Sequence, residues 1–199
     1  MKKVGITGSI GAGKSSVGSL LRARCFRVLD ADVAVHDLYR ENVSLRTELA
    51  DAFGEECLTA DGVNRDYFIR KIFSDADARV RLESIVYPHL TQYVKAFLDE
   101  PARDGENPVC TRFVEAALLS RAPGIVTMLD EIWIVDAPEE IRIERLVARG
   151  MDRDDALRRI ENQRGECKAD RFSGKPVRIL ENAGSMACLQ KELEAFLPA

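Results

Sequence analysis

The residues best suited to chemistry form one glycine-rich segment near the amino terminus. Residues 8–15 read Gly-Ser-Ile-Gly-Ala-Gly-Lys-Ser, which fits the pattern G-x-x-x-x-G-K-[ST]. Glycines allow backbone N–H groups to turn inward around phosphate oxygens, and the helix expected after them adds its positive amino end. In this pattern Lys14 reaches the β and γ phosphates and the Ser15 hydroxyl ligates Mg²⁺. The segment therefore predicts a binding site for the phosphates of a nucleotide.

Two carboxylates follow the second predicted strand, at Asp30 and Asp32. Ligands of open α/β sheets bind where the strands end. A kinase that acts on an alcohol benefits from a carboxylate that positions the hydroxyl and accepts its proton. We expect the two residues to alternate along an extended chain, so that either could face the phosphates. The alternative is that they cap the next helix, and the residues alone leave both functions open.

A third candidate group is a set of arginines on one predicted helix. Arg142, Arg145 and Arg149 are spaced i, i+3 and i+7, so they share a helix face. Arginines that close over a transferred phosphoryl group stabilise its charge. The alternative is a solvated helix face, on which nearby glutamates pair with the arginines.

The elements around these residues predict a parallel sheet. Val4–Thr7 has the character of a short buried strand, residues 14–24 carry apolar side chains at helical spacing, and residues 26–29 form a second apolar run. Strand, turn, helix and strand within about 30 residues make a βαβ unit. The fold class predicted is therefore α/β, with a parallel sheet flanked by helices.

The rest of the chain continues this pattern. Residues 33–100 are predicted to be mostly helical, and Pro88 is expected to kink or end one of the helices. Residues 101–108 are predicted to form a loop. Further strands are expected at 109–114, 132–135 and 177–180, and further helices at 139–149, 153–164 and 186–196.

Composition excludes several classes of protein. The 199 residues carry a net charge of −4, which argues against broad nucleic-acid binding. No apolar run approaches the length of a membrane span. The five cysteines form no C-x-x-C pair, so neither a disulfide framework nor a zinc site is expected. We expect a cytoplasmic protein with cysteines that are small buried hydrophobes, and Trp133 in the core.

A GTPase-type switch is the alternative from another class of function. It needs N/T-K-x-D to recognise guanine and D-x-x-G after a strand. The nearest matches are residues 167–170, which lack the Asn or Thr, and residues 51–54, which lie in a predicted helical stretch. Neither segment fits the GTPase motif that it most resembles, so the sequence does not favour a switch protein.

Several segments together resemble the dephospho-CoA kinase family. Residues 8–16 are followed by Val-Leu-Asp-Ala-Asp at 28–32. Residues 61–65, before Ile72-Phe73, are similar to the family's D-G-x-x-x-R segment, and residues 82–88 are similar to its L-E-x-I-x-H-P. The family pattern continues with Arg145, Arg149, Ile160 and Gln163, and closes with N-x-G at 182–184.

The resemblance implies a P-loop kinase that uses ATP and Mg²⁺ to phosphorylate the 3′-hydroxyl of the ribose of dephospho-CoA. It implies Asp32 as the general base, with Lys14 and Arg145 as the other catalytic residues and Ser15 as the metal ligand. The residues expected to bind ATP are Gly8, Gly11, Ala12, Gly13, Lys14, Ser15, Ser16, Arg145, Arg149 and Asn182. Those expected to bind the acceptor are Asp32, Arg65, Tyr87 and His89.

The family pattern also implies an arrangement of parts within one domain. Residues 1–61, 101–138 and 166–199 would form the core, residues 62–100 a helical CoA-binding region and residues 139–165 a small helical lid. No nucleic-acid or membrane partner is expected, and the sequence says nothing of the oligomeric state. Another small-molecule kinase acting on a nucleoside or nucleotide is the second candidate.

The sequence departs from the family pattern in three places. Tyr87 stands where the family usually has His, although His89 lies two residues further on. The family's P-L-L-F-E segment is represented by residues 115–119 without the proline. Gly-Lys-Pro at 174–176 replaces the usual A-D pair before Asn182.

Overall fold

The computed structural model describes residues 1–103, 105–107, 110–172 and 174–197, and in residues 73 and 74 the backbone only. The chain divides into two compact units. One comprises residues 1–30 together with 98–199, and the other comprises residues 31–97.

A five-stranded parallel sheet organises the first unit. Its order is β2-β5-β1-β6-β7, and every neighbouring pair is parallel. A separate two-stranded antiparallel pair, β3-β4, lies in the second unit. The strands are β1 (Lys2–Thr7), β2 (Arg27–Asp30), β3 (Leu58–Thr59), β4 (Gly62–Val63), β5 (Thr111–Glu115), β6 (Glu131–Asp136) and β7 (Val177–Glu181).

The α-helices connect these strands and make up most of the second unit. They are α1 (Lys14–Ala23), α2 (Ala31–Glu41), α3 (Val43–Phe53), α4 (Arg65–Ser74), α5 (Ala76–Asp99), α6 (Pro123–Met128), α7 (Glu139–Ala148), α8 (Arg153–Asn162) and α9 (Met186–Phe196). Short 3₁₀ turns occur at Glu55–Cys57, Leu119–Arg121 and Ala169–Phe172.

The central strands are apolar because they are buried on both faces, as parallel strands usually are. One cluster of buried side chains combines β1, β5, β6 and β7 with helices α1 and α9. On β1, a Cβ at Gly5 would lie 2.7 Å from the side chains of Leu119 and Leu129, so a larger residue there would force these leucines to shift. The sheet therefore fixes the relative positions of the carboxyl ends of β1, β5 and β6. The loops that follow these strands begin from those positions.

The second unit is a helical assembly with aromatic packing. Phe53 on α3 and Phe68 on α4 meet edge to face, with ring centroids 5.0 Å apart. Asn42 and Asn64 cap α3 and α4, since each side chain accepts a hydrogen bond from the backbone N–H three residues later. Burial raises the pKa of Tyr39 on α2 to about 12.

The predicted α/β class and parallel sheet are confirmed, and most predicted elements lie within two or three residues of the observed ones. The strand predicted over 109–114 is β5, which begins at Thr111; Val109 lies outside the described residues, as do positions 104 and 108 of the predicted loop. Trp133 is confirmed as a core residue, at 1% exposure, and its Nε1–H donates to Glu131 Oε1 at 2.8 Å.

Pro88 does not end a helix, because α5 continues through it, and the alternative that it kinks the helix stays a prediction. Two expectations were wrong. Asp32 does not lie on an extended chain, because α2 begins at Ala31 directly after β2 and Asp32 belongs to its first turn. The cysteines are not all buried: Cys25, Cys110 and Cys188 are exposed, Cys167 is half-buried and Cys57 is buried.

No helix among the described residues is long and apolar enough to cross a membrane.

Candidate active site

The glycine-rich segment forms the turn between β1 and α1, as its spacing predicts. Gly11 and Gly13 adopt positive φ angles of 80° and 103°. A Cβ at Gly13 would collide with the Asn182 side chain, and one at Gly11 would lie 2.8 Å from the backbone oxygen of Arg142. Glycine is therefore needed at both positions for conformation and for space.

The amino end of α1 is left open to an anion. Its N-cap is Gly13, which has no capping side chain, and its first turn contains no acidic residue. The helix dipole therefore favours negative charge at this end of α1. Lys14 lies against the same loop, with its Nζ donating to the Gly8 carbonyl oxygen at 2.6 Å.

Asn182 and Arg145 close the loop from its outer side. The Asn182 side chain, only 5% exposed, donates through Nδ2 to the Ala12 carbonyl oxygen at 2.7 Å. Arg145 Nη2 donates to the backbone and side-chain oxygens of Asn182 at 3.0 and 3.3 Å. Its Nη1 lies 3.4 Å from the carbonyl oxygens of both Gly11 and Ala12. A residue of α7 and the residue directly after β7 thus converge on the phosphate loop.

A cavity of about 280 Å³ lies beside this cluster. It combines cationic side chains with an apolar wall, as suits a ligand that has both phosphates and a flat base. Its lining includes Gly13, Ser16, Arg145, Arg149, Asn182, Met186 and Leu189.

Glu115 is a site residue that the sequence analysis did not single out. It ends β5 and is only 3% exposed. Its Oε1 accepts a hydrogen bond from Ser15 Oγ at 3.1 Å, while its Oε2 is buried without a hydrogen-bond partner among the described residues. On α1, a Cβ at Gly18 would lie 2.5 Å from that Oε2, so glycine makes room for the carboxylate.

The electrostatics of Glu115 follow from its position. Burial raises the pKa of the Glu115 carboxyl, and the negative charge of Asp30 raises it further. Asp30 lies opposite Glu115 in the β2–β5 register. The hydrogen bond from Ser15 and the charges of Lys14 and Arg22 act in the opposite direction. The strand ends therefore bring two carboxylates to the base of the phosphate loop.

The residues expected to bind the acceptor all belong to the second unit. Asp32 is exposed in the first turn of α2, and Arg65 begins α4, where its charge acts on Tyr39. Tyr87 and His89 lie on α5. Both ring nitrogens of His89 have partners: Nε2 lies 3.0 Å from Glu48 Oε1, and Nδ1 lies 3.4 Å from Asn42 Nδ2.

The three arginines predicted to share one helix face are only partly exposed to solvent. Arg145 turns inward onto the phosphate loop, whereas Arg149 is exposed at the rim of the cavity. Arg142 is largely buried and lies 3.7 Å from Glu139. The structure thus places Arg145 on the phosphate loop and Arg149 on the solvated part of the face, and a role in stabilising the phosphoryl group stays a prediction.

Comparisons with known proteins match this chain to dephospho-CoA kinases along nearly its whole length. The family model for dephospho-CoA kinase (CoaE) matches residues 2–187. The dephospho-CoA kinase of Corynebacterium jeikeium is 33% identical over 198 residues, which cover 98% of each chain. That of Deinococcus radiodurans is 34% identical over 197 residues, covering 98% of this chain and 91% of the relative.

Solved structures share the fold. A crystal structure from Thermus thermophilus superposes with a TM-score of 0.76 at 32% identity, covering 98% of this chain and 95% of the other. The dephospho-CoA kinase from Campylobacter jejuni gives a TM-score of 0.68 at 20% identity, with coverage of 98% and 96%. Together with the phosphate loop, the extent of these matches shows that the chain belongs to the dephospho-CoA kinase family and is a kinase of coenzyme A biosynthesis.

Proposed function

We propose that the protein transfers the γ-phosphoryl group of ATP to the 3′-hydroxyl of the ribose of dephospho-CoA. The observation that carries this proposal is the phosphate loop of residues 8–16 closed by Arg145 and Asn182, in a chain that matches the family over residues 2–187. Phosphoryl transfer needs chiefly positioning and charge stabilisation, and this cluster offers donors and cations for both.

The nucleotide would lie along the loop and into the 280 Å³ cavity. The backbone of Gly8–Gly13 and the first turn of α1, with Ser15 and Ser16, would hold the phosphates, and Lys14 would bridge them as a point charge. The adenine base would lie against the apolar wall that includes Met186 and Leu189. Arg149 at the rim would then contact the nucleotide rather than the acceptor.

Mg²⁺ fits the donors at the base of the loop. Ser15 offers a hydroxyl and Glu115 a carboxylate oxygen, the hard oxygen ligands that Mg²⁺ prefers. The free lone pairs of the buried Glu115 Oε2 suit a metal-bound water. When bound, the ion would neutralise charge on the phosphates. Ser15 would contact it directly, and Glu115 would orient Ser15 and hold that water.

Asp32 would act on the acceptor. A carboxylate that accepts the proton of the 3′-hydroxyl makes this weak nucleophile reactive. Its exposed position in the first turn of α2 supports the role, because the side chain is accessible to a substrate. Arg65 and Tyr87 would bind the acceptor. His89 would support binding through the helices that it joins, since both of its ring nitrogens are already hydrogen-bonded.

These roles divide the chain into functional parts. Residues 1–61, 101–138 and 166–199 would form the core, which includes Asp32. Residues 62–100 would form the CoA-binding region and residues 139–165 the lid over the nucleotide. The helical content of residues 65–99 supports the second assignment, and the contacts of Arg145 with the loop support the third.

An acceptor comparison tests the proposal. Release of the nucleoside diphosphate is measured with Mg²⁺ in the presence of dephospho-CoA, AMP or adenosine, as ADP when ATP is the donor and as GDP when GTP replaces it. We expect turnover that depends on dephospho-CoA and is faster with ATP than with GTP. Faster turnover with AMP or adenosine would instead favour a nucleotide or nucleoside kinase. GTP hydrolysis that is independent of any acceptor would favour a switch.

A further inference from the structure

Ile10, at the outer end of the phosphate loop, packs against the hydrophobic core of the α7–α8 pair. This core consists of Ile143 and Leu146 from α7 with Ala156 and Ile160 from α8, and both Ile10 and Met151 pack against it. The outer end of the loop is therefore joined to the helix pair by apolar packing.

The backbone of Ile10 is held by a side chain 153 residues away. Gln163 follows the last residue of α8, and its Oε1 accepts a hydrogen bond from the Ile10 N–H at 2.8 Å. The site is part-buried, so loss of this acceptor would leave the N–H poorly solvated. An uncharged acceptor also suits this position, because a carboxylate here would repel the phosphates of a nucleotide.

Two further contacts fix the loop against α7. Gly11 lies so close to Arg142 that a Cβ would meet its backbone at 2.8–3.1 Å. Arg145 lies within 3.4 Å of the carbonyl oxygens of Gly11 and Ala12. Three consecutive residues of the loop are thus held by α7, α8 and the residue after α8, in each case through protein contacts.

We infer that Gln163 is a positioning residue for the nucleotide. By holding the Ile10 N–H, it keeps the outer end of the loop in the shape that receives the phosphates. It follows that the contacts of Ile10 and Gln163 tie the shape of the loop to the α7–α8 pair. This inference rests on the proposed function only in that ATP is the nucleotide.

Two substitutions of Gln163 separate its hydrogen bond from its packing. Gln163→Met keeps the length of the side chain and removes the acceptor, whereas Gln163→Glu keeps an acceptor oxygen and adds a charge. Asn162→Ala, at the adjacent exposed end of α8, is the matched control. Amide hydrogen exchange at Ile10 and ATP affinity are measured without any acceptor substrate, so both remain informative if dephospho-CoA proves to be the wrong substrate.

In Gln163→Met we expect the Ile10 amide to exchange about five- to tenfold faster, in line with the loss of one hydrogen bond. The dissociation constant of ATP should rise by about the same factor, while kcat at saturating ATP and the KM for dephospho-CoA should change less than about twofold. In Gln163→Glu the Ile10 amide should stay protected while ATP binds more weakly. Asn162→Ala should resemble the wild type in every measurement.

Three results would overturn the inference. One is unchanged exchange at Ile10 in Gln163→Met. Another is equal weakening of ATP and dephospho-CoA in that variant, since a general loss of structure would produce it. The third is the same response in Asn162→Ala as in Gln163→Met.

Discussion

Ser15 and Glu115, 100 residues apart in sequence, are joined by a hydrogen bond of 3.1 Å from the serine Oγ to the carboxylate Oε1. The register of the sheet makes this contact, because Ile6 near the end of β1 pairs with Glu115 at the end of β5. The loop that follows β1 therefore begins beside a buried acid. The pair links the residue expected to ligate the metal to a carboxylate that can orient it.

Replacement of Glu115 should weaken the use of Mg²⁺. Glu115→Gln keeps an oxygen that can accept from Ser15 but removes the charge that favours a cation. We expect the Mg²⁺ concentration for half-maximal activity to rise by about ten- to a hundredfold, the usual effect of losing a group that supports a metal ligand. A Mg²⁺ titration at saturating ATP and dephospho-CoA measures this, and Glu194→Gln on the exposed face of α9 is the control. An unchanged Mg²⁺ requirement would assign Glu115 to the fold alone.

The same carboxyl should make stability depend on pH. Burial and then Asp30 raise the pKa of Glu115, so the folded chain binds its proton more tightly than the unfolded chain does. The favourable contribution is therefore complete below the pKa of the unfolded chain and is lost as pH rises through the raised pKa. Compared with Glu115→Gln, the wild type should be relatively more stable at pH 5 than at pH 8. Paired thermal melts at the two pH values measure this, and the reverse trend would show that Glu115 is stabilised as an anion.

Substitutions of Arg145 and Arg149 should change different kinetic constants, although both side chains line one cavity. Arg145→Ala removes the hydrogen bonds to Asn182 and to the loop, and a cation that would face the transferred phosphoryl group. We expect kcat to fall by roughly a hundredfold, with a much smaller change in the KM for dephospho-CoA. Arg149→Ala, the matched variant at the residue directly after the same helix, should mainly raise the KM for ATP. If Arg145→Ala changed only the acceptor KM, that residue would serve substrate binding alone.

Substitution of Asp32 should reduce turnover more than substitution of Asp30. Asp32→Asn keeps the shape of the side chain but removes the proposed base, so turnover should fall by about a hundredfold or more. ATP affinity should stay near that of the wild type, because the phosphate loop binds the nucleotide. Asp30→Asn is the neighbouring control and should cost less. Steady-state turnover at saturating substrates and a separate ATP titration decide the assignment, and a more severe loss in Asp30→Asn would transfer the role of base to Asp30.

The phosphate loop could be predicted because all its residues are neighbours in sequence. Its glycines, Lys14 and Ser15 lie within eight residues, and the conformation that they adopt is local. Asn182 could be named only through the family pattern, and helical spacing placed Arg145 in a set of three arginines without selecting it, since the contacts of both residues with the loop span more than 130 residues.

Other parts of the site could not be predicted, because they depend on register or on tertiary packing. Glu115 was visible only as part of a segment lacking the family's proline, and no spacing relates it to Ser15. The end of β2 was misjudged since Ala31 and Asp32 suit a helix as well as a strand end. Helix α6 was missed because its first residues, Pro123 and Gly124, are typical of a turn.

The central claim is the transfer of a phosphoryl group to the 3′-hydroxyl of dephospho-CoA. Its most direct test is ³¹P NMR of the reaction with equimolar ATP and dephospho-CoA, followed until ADP formation stops. We predict a new ³¹P signal from a phosphate monoester at the 3′ position of the acceptor's ribose. This monoester should form in a one-to-one ratio with ADP. ADP accompanied by inorganic phosphate and unmodified dephospho-CoA, or a monoester at another position, would contradict the account.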